Sequence, residues 1–244
     1  MKNVCLIINT FSKYSDLWQM FFDSLDENLP ELKRYVFVDK GEPDKSATTL
    51  HYNPSDKFRT QFLKCIENVK EKYCIFISED YILYDKPNLE TIKRYADILE
   101  KNDNLTFIRF AKGMDFGEPN YKENDDLYQL SSVFPYFYSQ TAALWKTRDL
   151  ENIFRNTPDS HIAGTNMSEQ FEILANQTCR NLDIQGLFCY HGENKRGEHH
   201  YDSDVFPYIA TAIVKGKWNI SEYEKELTPL IQKYNINVDD RGVV

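Results

Sequence analysis

Short apolar segments alternate with amphipathic segments along the first 110 residues, and this alternation constrains the fold more than any other feature. Strands are predicted at the apolar runs Val4–Ile8, Tyr35–Val38, Cys74–Ile77 and Leu105–Phe110. Helical spacing of apolar residues follows Ser15 or Asp16, follows Ser55 or Asp56, and recurs from Leu89 to Leu99. Strands that are apolar throughout are buried on both faces. The order therefore predicts an α/β fold, with a mainly parallel central sheet flanked by helices and ligands at the carboxyl ends of the strands.

The second half of the chain continues the pattern less regularly. A loop is predicted from Ala111 to Asp126, which is rich in Gly, Pro and acidic residues, and an extended segment from Phe134 to Trp145. Helices are predicted at about Thr147–Arg155, Met167–Arg180 and Ser221–Tyr234, and a strand at Ile184–Cys189. At 244 residues, one large α/β domain is expected.

Charge and cysteine usage restrict the function classes. A net charge of −9 argues against a nucleic-acid-binding protein, which needs a cationic face for the phosphates. The five cysteines are an odd number without CxxC spacing and lie mostly in apolar segments, which favours buried thiols in a reducing compartment. No signal sequence and no apolar run of transmembrane length is found, so we expect a cytoplasmic protein.

The third predicted strand delivers three polar residues, Ser78-Glu79-Asp80, to its carboxyl end. A divalent ion that bridges a diphosphate needs hard oxygen ligands and open positions for phosphate oxygens, so one or two carboxylates suffice. An ordinary acidic turn after a strand is the alternative interpretation.

Around this motif the sequence resembles the GT-A glycosyltransferases, the nucleotide-diphospho-sugar transferase superfamily. The resemblance rests on Ile7-Ile8-Asn9-Thr10 after the first strand, Val38-Asp39-Lys40-Gly41 after the second, Arg59 on the next helix, and Ser78-Glu79-Asp80 in the place of the DxD motif. It implies that Thr10, Asp39 and Arg59 contact the nucleotide and that Asp80 binds Mn²⁺ or Mg²⁺. Ser78 departs from the motif by replacing its first Asp, and Glu79 could compensate in part.

The same resemblance assigns roles in the second half. Gln140, within Tyr138–Lys146, would hydrogen-bond the transferred sugar, and an acid at the start of the next helix would be the general base of an inverting enzyme. Glu169 is the first choice for that base and Glu172 the reserve. In the loop His191–His200, His191 would be a second metal ligand, and Lys195 and Arg196 would stabilise the leaving diphosphate. A buried strand, acids that complement a helix dipole and a solvated polar loop are the respective alternatives.

The expected function is transfer of a sugar from a nucleotide-diphosphate sugar, of which a UDP-sugar is the commonest, to a hydroxyl of a glycan or other acceptor. The chain then divides into a nucleotide-binding half (1–110), a sugar and acceptor half (111–220) and a C-terminal helix and tail (221–244) that would cap the core or form a homodimer. Two alternatives stay open: a non-catalytic nucleotide-sugar-binding relative, suggested by Ser78, and a metal-dependent hydrolase using residues between His191 and Asp204. A nucleotidyltransferase needs a Gly-rich loop after the first strand, and Asn9–Lys13 contains no glycine.

Overall fold

The fold was analysed in a computed structural model that describes residues 3–113, 120–121, 126–159, 167–197 and 200–244, with side chains from residue 170 in the fourth range. The strands are β1 Val4–Asn9, β2 Lys33–Val38, β3 Thr48–His51, β4 Tyr73–Ser78, β5 Leu105–Arg109, β6 Leu127–Leu130, β7 Ala143–Lys146, β8 Gln185–Cys189, β9 Lys195–Arg196, β10 His200–Tyr201, β11 Ile213–Val214 and β12 Lys217–Trp218. The helices are α1 Ser15–Asn28, α2 Phe58–Ile66, α3 Leu89–Lys101, α4 Thr147–Asn156, α5 Met167–Asn181 and α6 Glu224–Lys233.

A central sheet of eight strands, in the order β3-β2-β1-β4-β7-β5-β8-β6, organises the described part of the chain. Strands β1 to β5 and β8 run in one direction, while β6 and β7 run against their neighbours. This confirms the predicted α/β fold with a mainly parallel sheet flanked by helices. The carboxyl ends of β1 and β4 lie side by side, with Asn9 in register with Ser78.

Alternate residues of each central strand enter two separate cores. On β1, Leu6 and Ile8 pack with helices α1 and α3 on one face of the sheet, whereas Cys5 and Ile7 pack with α2, α4 and α5 on the other. Both faces are therefore covered, which explains why these strands are apolar throughout. The segment from Val205 to Leu227 also joins the first core, so the C-terminal part of the chain returns to the α1 side.

The sequence pattern predicted neither the direction of strand β7 nor the presence of the shortest strands. The extended segment expected from Phe134 to Trp145 is a strand only at its end, because turn hydrogen bonds from Phe134 and Phe137 fold the residues before it. Strand β7 inserts antiparallel between β4 and β5. Strands β3 and β6 and the two hairpins β9–β10 and β11–β12 are two to four residues long, too short to show periodicity.

Two further expectations concern the cysteines and the membrane. All five cysteines are free thiols and are buried, as predicted. Of the helices in the described ranges, none has the length and apolar character needed to span a bilayer.

The contact between Phe107 and Gly186 gives a test of the sheet register. The two residues face each other on β5 and β8, and a Cβ added at position 186 would lie 2.2 Å from Cζ of Phe107. We expect Gly186→Ala to lower the free energy of unfolding by about 1–3 kcal/mol, because the ring is stacked on Trp145 and has little room to move. Urea unfolding measures this loss.

The matched control is the same substitution beside a smaller neighbour. In Phe107→Leu protein, the added methyl at position 186 should cost clearly less than in the wild type, since the clash is relieved. Equal costs in the two backgrounds would contradict this register.

Candidate functional site

Two neighbouring cavities open at the carboxyl edge of the sheet. The larger, the β1–β4 cleft, has a volume of about 650 Å³ and is lined by residues that include Thr10, Phe11, Tyr14, Tyr52, Ser78, Glu79, Asp80, Gln140, Lys215 and Gly216. The smaller, the inner pocket, has a volume of about 250 Å³ and is lined by residues that include Tyr81, Arg109, Lys112, Gly113, Gln140, Glu172, His200, Tyr201 and Tyr208. Gln140 lines both, so it stands at their junction.

Glu79 and Asp80 form an acidic pair in the cleft wall. Burial, with the charge of Asp80, raises the pKa of Glu79 to about 8, and burial raises the pKa of Asp80 to about 7. The backbone amide of Ile213 donates a hydrogen bond to the Asp80 carboxylate. Among the described residues neither acid forms an ion pair, so the pair suits a ligand that brings positive charge.

Thr10 fixes this pair and is itself buried. Its hydroxyl accepts a hydrogen bond from the indole N–H of Trp18 at 2.8 Å and bonds to the Glu79 carboxylate, while its carbonyl accepts from the Tyr52 hydroxyl at 2.7 Å. Because 1% of the Thr10 surface is exposed, this residue positions Glu79 and has little surface for direct contact with a ligand.

Two residues expected at the nucleotide do not line the cleft. The Asp39 carboxylate accepts hydrogen bonds from the backbone N–H and the hydroxyl of Ser12, both at 2.7 Å, and so ties the loop after β1 to the end of β2. Arg59 donates to the carbonyls of Phe154 and Arg155 at the end of α4 and pairs with Asp159. Its guanidinium thus satisfies orphan carbonyls of a helix end.

The expected metal ligands Asp80 and His191 are not brought together. Asp80 and His191 follow strands β4 and β8, and these two strands are separated by β7 and β5, which is roughly 14 Å at the usual strand spacing. His191 instead meets Glu193 and Asp204, and these three side chains could hold a metal ion. Its Nδ1 lies 2.8 Å from Asp204. Partial burial lowers the pKa of His191, but the hydrogen bond and charge of Asp204 outweigh this and raise it.

The two cations expected at the leaving group, Lys195 and Arg196, line neither cavity. Arg196 pairs with Asp202 and with Glu226 at 2.8–3.1 Å, which links hairpin β9–β10 to helix α6. Lys195 is exposed at the start of β9.

Lys215, the cation in the lining of the cleft, belongs to a different hairpin. Lys215 and Gly216 form the two-residue turn between β11 and β12, with φ of +50° and +81°. This is the backbone of a type I′ turn, which favours Asn and Gly, so a lysine there is an unusual choice. Arg241 holds the turn: it reaches the carbonyl of Gly216, pairs with Asp16 and lies 4.8 Å from the centre of the Tyr14 ring.

Of the two candidate bases, Glu172 lies at the junction of the cavities. Its Oε1 accepts a hydrogen bond from the backbone N–H of Gln140 at 2.8 Å, and it lines the inner pocket. Glu169 belongs to helix α5, but its side chain lies outside the described part of the structure.

Sequence patterns did not single out Lys215, Arg241, Arg109 or Lys112. One signal was available for Arg109: it ends an apolar strand in the same way that Ser78 ends β4, and strand ends supply ligand contacts in this type of sheet. The Lys-Gly pair between Val214 and Lys217 indicates a turn, but nothing in the sequence places that turn against β4.

Comparisons with known proteins concern the fold. No protein-family profile and no curated protein sequence matches the chain. Among solved structures, S. aureus TarS 1-349 matches with a TM-score of 0.50 and 13% identity, over 97% of this chain and 66% of that chain. Mannosyltransferase PcManGT from Pyrobaculum calidifontis, in complex with GDP-Man and Mn²⁺, has a TM-score of 0.45 and 10% identity, over 80% of this chain and 58% of that one. CMP:2-keto-3-deoxy-manno-octonic acid synthetase complexed with CTP has a TM-score of 0.47 and 10% identity, over 76% of this chain and 88% of that one.

The match to TarS covers nearly the whole described fold, whereas this chain spans just under two thirds of the TarS chain. The chain therefore shares its fold with S. aureus TarS 1-349. At this identity the likeness concerns the fold alone.

The raised pKa of Asp80 gives a prediction for stability. Because the carboxyl has an ordinary value near 3.8 in the unfolded chain and about 7 in the fold, the folded state loses stability as the pH rises between these values. Without metal ions, Asp80→Asn should raise the melting temperature at about pH 8, by roughly 2–4 °C for each kcal/mol recovered. The gain at about pH 5 should be smaller.

Scanning calorimetry in a chelating buffer measures both gains. Asp97→Asn, at an exposed position on α3, is the control and should change little at either pH. A gain for Asp80→Asn that is the same at both pH values would show that its carboxyl titrates normally.

Proposed function

We propose that the protein is a glycosyltransferase that moves a sugar from a nucleotide-diphosphate sugar, with a UDP-sugar as the donor, to a hydroxyl of a glycan or polysaccharide acceptor. The observation that carries the proposal is the acidic pair of buried Glu79 and half-buried Asp80 at the carboxyl end of β4, inside a cleft of about 650 Å³. Nucleotide ligands bind at this edge in open α/β sheets. The free buried thiols suit a reducing, cytoplasmic setting.

The donor would occupy the β1–β4 cleft. Phe11, Tyr14 and Tyr52 supply aromatic surface on which the base can stack, while the acidic pair and Lys215 contribute to the lining as well. The diphosphate would lie between the acidic pair and Lys215, because its negative charge needs partners and Lys215 is the charged amine in the lining.

A divalent metal fits the donor set of this cleft. Two neighbouring carboxyl groups that have raised pKa values and form no ion pair among the described residues are stabilised in their charged form by Mn²⁺ or Mg²⁺. Asp80 would hold the metal and Glu79 would support it, with Ser78 beside them. When bound, the metal neutralises charge that develops on the leaving diphosphate.

Transfer would take place at the junction marked by Gln140. The acceptor hydroxyl oxygen attacks C1 of the sugar from the side of the inner pocket and forms the new C1–O bond, while the bond from C1 to the diphosphate oxygen breaks and its electron pair leaves with the nucleoside diphosphate. Glu172 accepts the hydroxyl proton. A single displacement of this kind inverts the configuration at C1. Gln140 would orient the sugar from its place between the cavities.

This assignment changes several roles expected from the sequence. Lys215 takes the place of Lys195 and Arg196 at the diphosphate, and Glu172 takes precedence over Glu169 as the base. Asp39 and Arg59 hold the loops that frame the cleft. His191 is left out of the donor site.

A metal-dependent hydrolase has one observation in its favour, the grouping of His191, Glu193 and Asp204. The group lies outside both cavities, and two of its three residues are exposed. The ion pair of a protonated His191 with Asp204 accounts for the grouping without a metal. We therefore favour transfer over hydrolysis.

Lys215 gives a test of donor binding that separates function from folding. Calorimetry with UDP and Mn²⁺ should show binding to the wild type, and Lys215→Asn should weaken it by about 10- to 100-fold, the value of a charge-assisted hydrogen bond. The melting temperature should not fall, because Asn tolerates the left-handed turn better than Lys.

Lys217→Gln, on the same hairpin but outside the cleft, is the matched control and should bind UDP as the wild type does. Absence of UDP binding to the wild type, with or without Mn²⁺, would refute the proposed function.

Glu172 gives a test of the chemical step. Glu172→Gln keeps an oxygen that can accept the Gln140 N–H but cannot take a proton, so we expect sugar transfer to fall by about 10²- to 10⁴-fold while UDP affinity is retained. Release of UDP in the presence of acceptor measures the transfer.

The controls are Glu90→Gln, at an exposed position on α3, and Glu169→Gln on the same helix as Glu172. Full activity in Glu172→Gln together with loss of activity in Glu169→Gln would move the role of base to Glu169.

A further inference from the structure

The inner pocket contains a buried arginine, Arg109, that forms no ion pair with a described carboxylate; Glu172 in the same lining is the acid whose charge acts on it. Arg109 has 2% of its surface exposed, and Nη2 donates to the carbonyls of Tyr136 and Phe137 at 2.9 and 3.0 Å. Within the described residues no carboxylate forms an ion pair with it. Burial lowers the pKa of Arg109 to about 10, so the guanidinium remains charged at neutral pH.

The remaining donors of Arg109 have space beside them. A guanidinium carries five N–H groups, and the hydrogen bonds to the two carbonyls involve Nη2 alone. Nη1 lies next to Gly113, where a Cβ would come within 3.3 Å of it, and both residues line the pocket. The missing side chain at position 113 thus leaves space beside Nη1 on the wall of the pocket.

A second cation lies on the same wall. The Lys112 ammonium lies 4.8 Å from the centre of the Tyr190 ring and 5.1 Å from that of Tyr201. Two aromatic faces restrict its position while leaving its N–H donors available. Lys112 also lines the pocket, so two fixed positive charges face the cavity.

The balance of charge in the pocket is therefore positive. Glu172 is the acid of the lining, and its Oε1 is engaged by the Gln140 amide. One carboxylate, Glu172, faces the two cations Arg109 and Lys112, so one positive charge is left without a counter-charge, and an anionic ligand would pair with it. The pocket volume of 250 Å³ corresponds to about eight waters at 30 Å³ each, which admits one sugar or polyol unit.

We propose that the inner pocket binds an anionic group of the acceptor, a phosphate or a carboxylate, through Arg109 and Lys112. This inference rests on the proposed function, because it takes the neighbouring cleft as the place of the donor. The anion holds the acceptor so that a hydroxyl of the same unit reaches Glu172 and Gln140. The acceptor class is then an acidic sugar or a phosphorylated polyol, and neutral glycans bind poorly.

The test is calorimetric titration with glycerol 3-phosphate and with D-glucuronate, using glycerol and D-glucose as their neutral counterparts. At least one anionic probe should bind ten-fold or more tightly than its neutral counterpart, and which one does so distinguishes a phosphate from a carboxylate. Saturation with UDP and Mn²⁺ should leave this affinity unchanged, because the donor fills the other cavity. Loss of the probe's binding on addition of UDP would place the anion at the diphosphate position and overturn the proposal.

Substitutions of pocket residues test where the anionic probe binds. Lys112→Met should weaken anion binding at least ten-fold, and Arg109→Met should abolish it if the protein folds; Lys93→Met, at an exposed position on α3, should not change it. Unchanged binding in Lys112→Met overturns the proposal even if the Arg109 variant does not fold. Titration of UDP on the same samples reports on the donor site separately: UDP binding without anion binding refutes this inference alone, whereas loss of both refutes the proposed function as well.

Discussion

The adjacent carboxyl groups of Glu79, which is buried, and Asp80, which is half-buried, are the constraint around which the rest of the site is arranged. Burial raises both pKa values, and the charge of Asp80 raises that of Glu79 further, so both values lie near or above neutrality. The Trp18–Thr10 hydrogen bonds and the amide of Ile213 hold them in place without neutralising them. Ionisation of these two carboxyl groups is therefore unfavourable in the folded protein, and a cation bound with a diphosphate would make it favourable.

The two cavities differ in their ionisable groups, and this division gives each a separate task. The β1–β4 cleft has an acidic pair on one wall and Lys215 on another, an arrangement suited to a metal and a diphosphate. The inner pocket has Arg109 and Lys112 with Glu172 near the junction. The sheet brings the acidic pair and Arg109 to one edge because the parallel strands β4 and β5 end on the same side, whereas Lys215 comes from hairpin β11–β12 and Glu172 from helix α5.

The fold and the acidic half of the site follow from the sequence, because both depend on local patterns. Apolar runs define β1, β2, β4 and β5, and the residue after each run lies at the ligand edge; this is how Asp80 and Glu79 are found. Arg59 has the right place on a helix for a nucleotide contact, but the carbonyls at the end of α4, some 95 residues away, take its donors. Lys215 lies in the turn of a hairpin whose strands are two residues long, and the contact of this hairpin with β4 is set by tertiary packing alone.

The proposed function depends on where a nucleoside diphosphate and its metal bind. The most direct measurement is a crystal structure of the wild-type protein soaked with UDP and Mn²⁺, with anomalous scattering to locate the manganese. We predict an anomalous peak at the Asp80 carboxylate and the diphosphate between that peak and Lys215. Manganese found only at His191, Glu193 and Asp204, or uridine bound outside the β1–β4 cleft, would contradict the account.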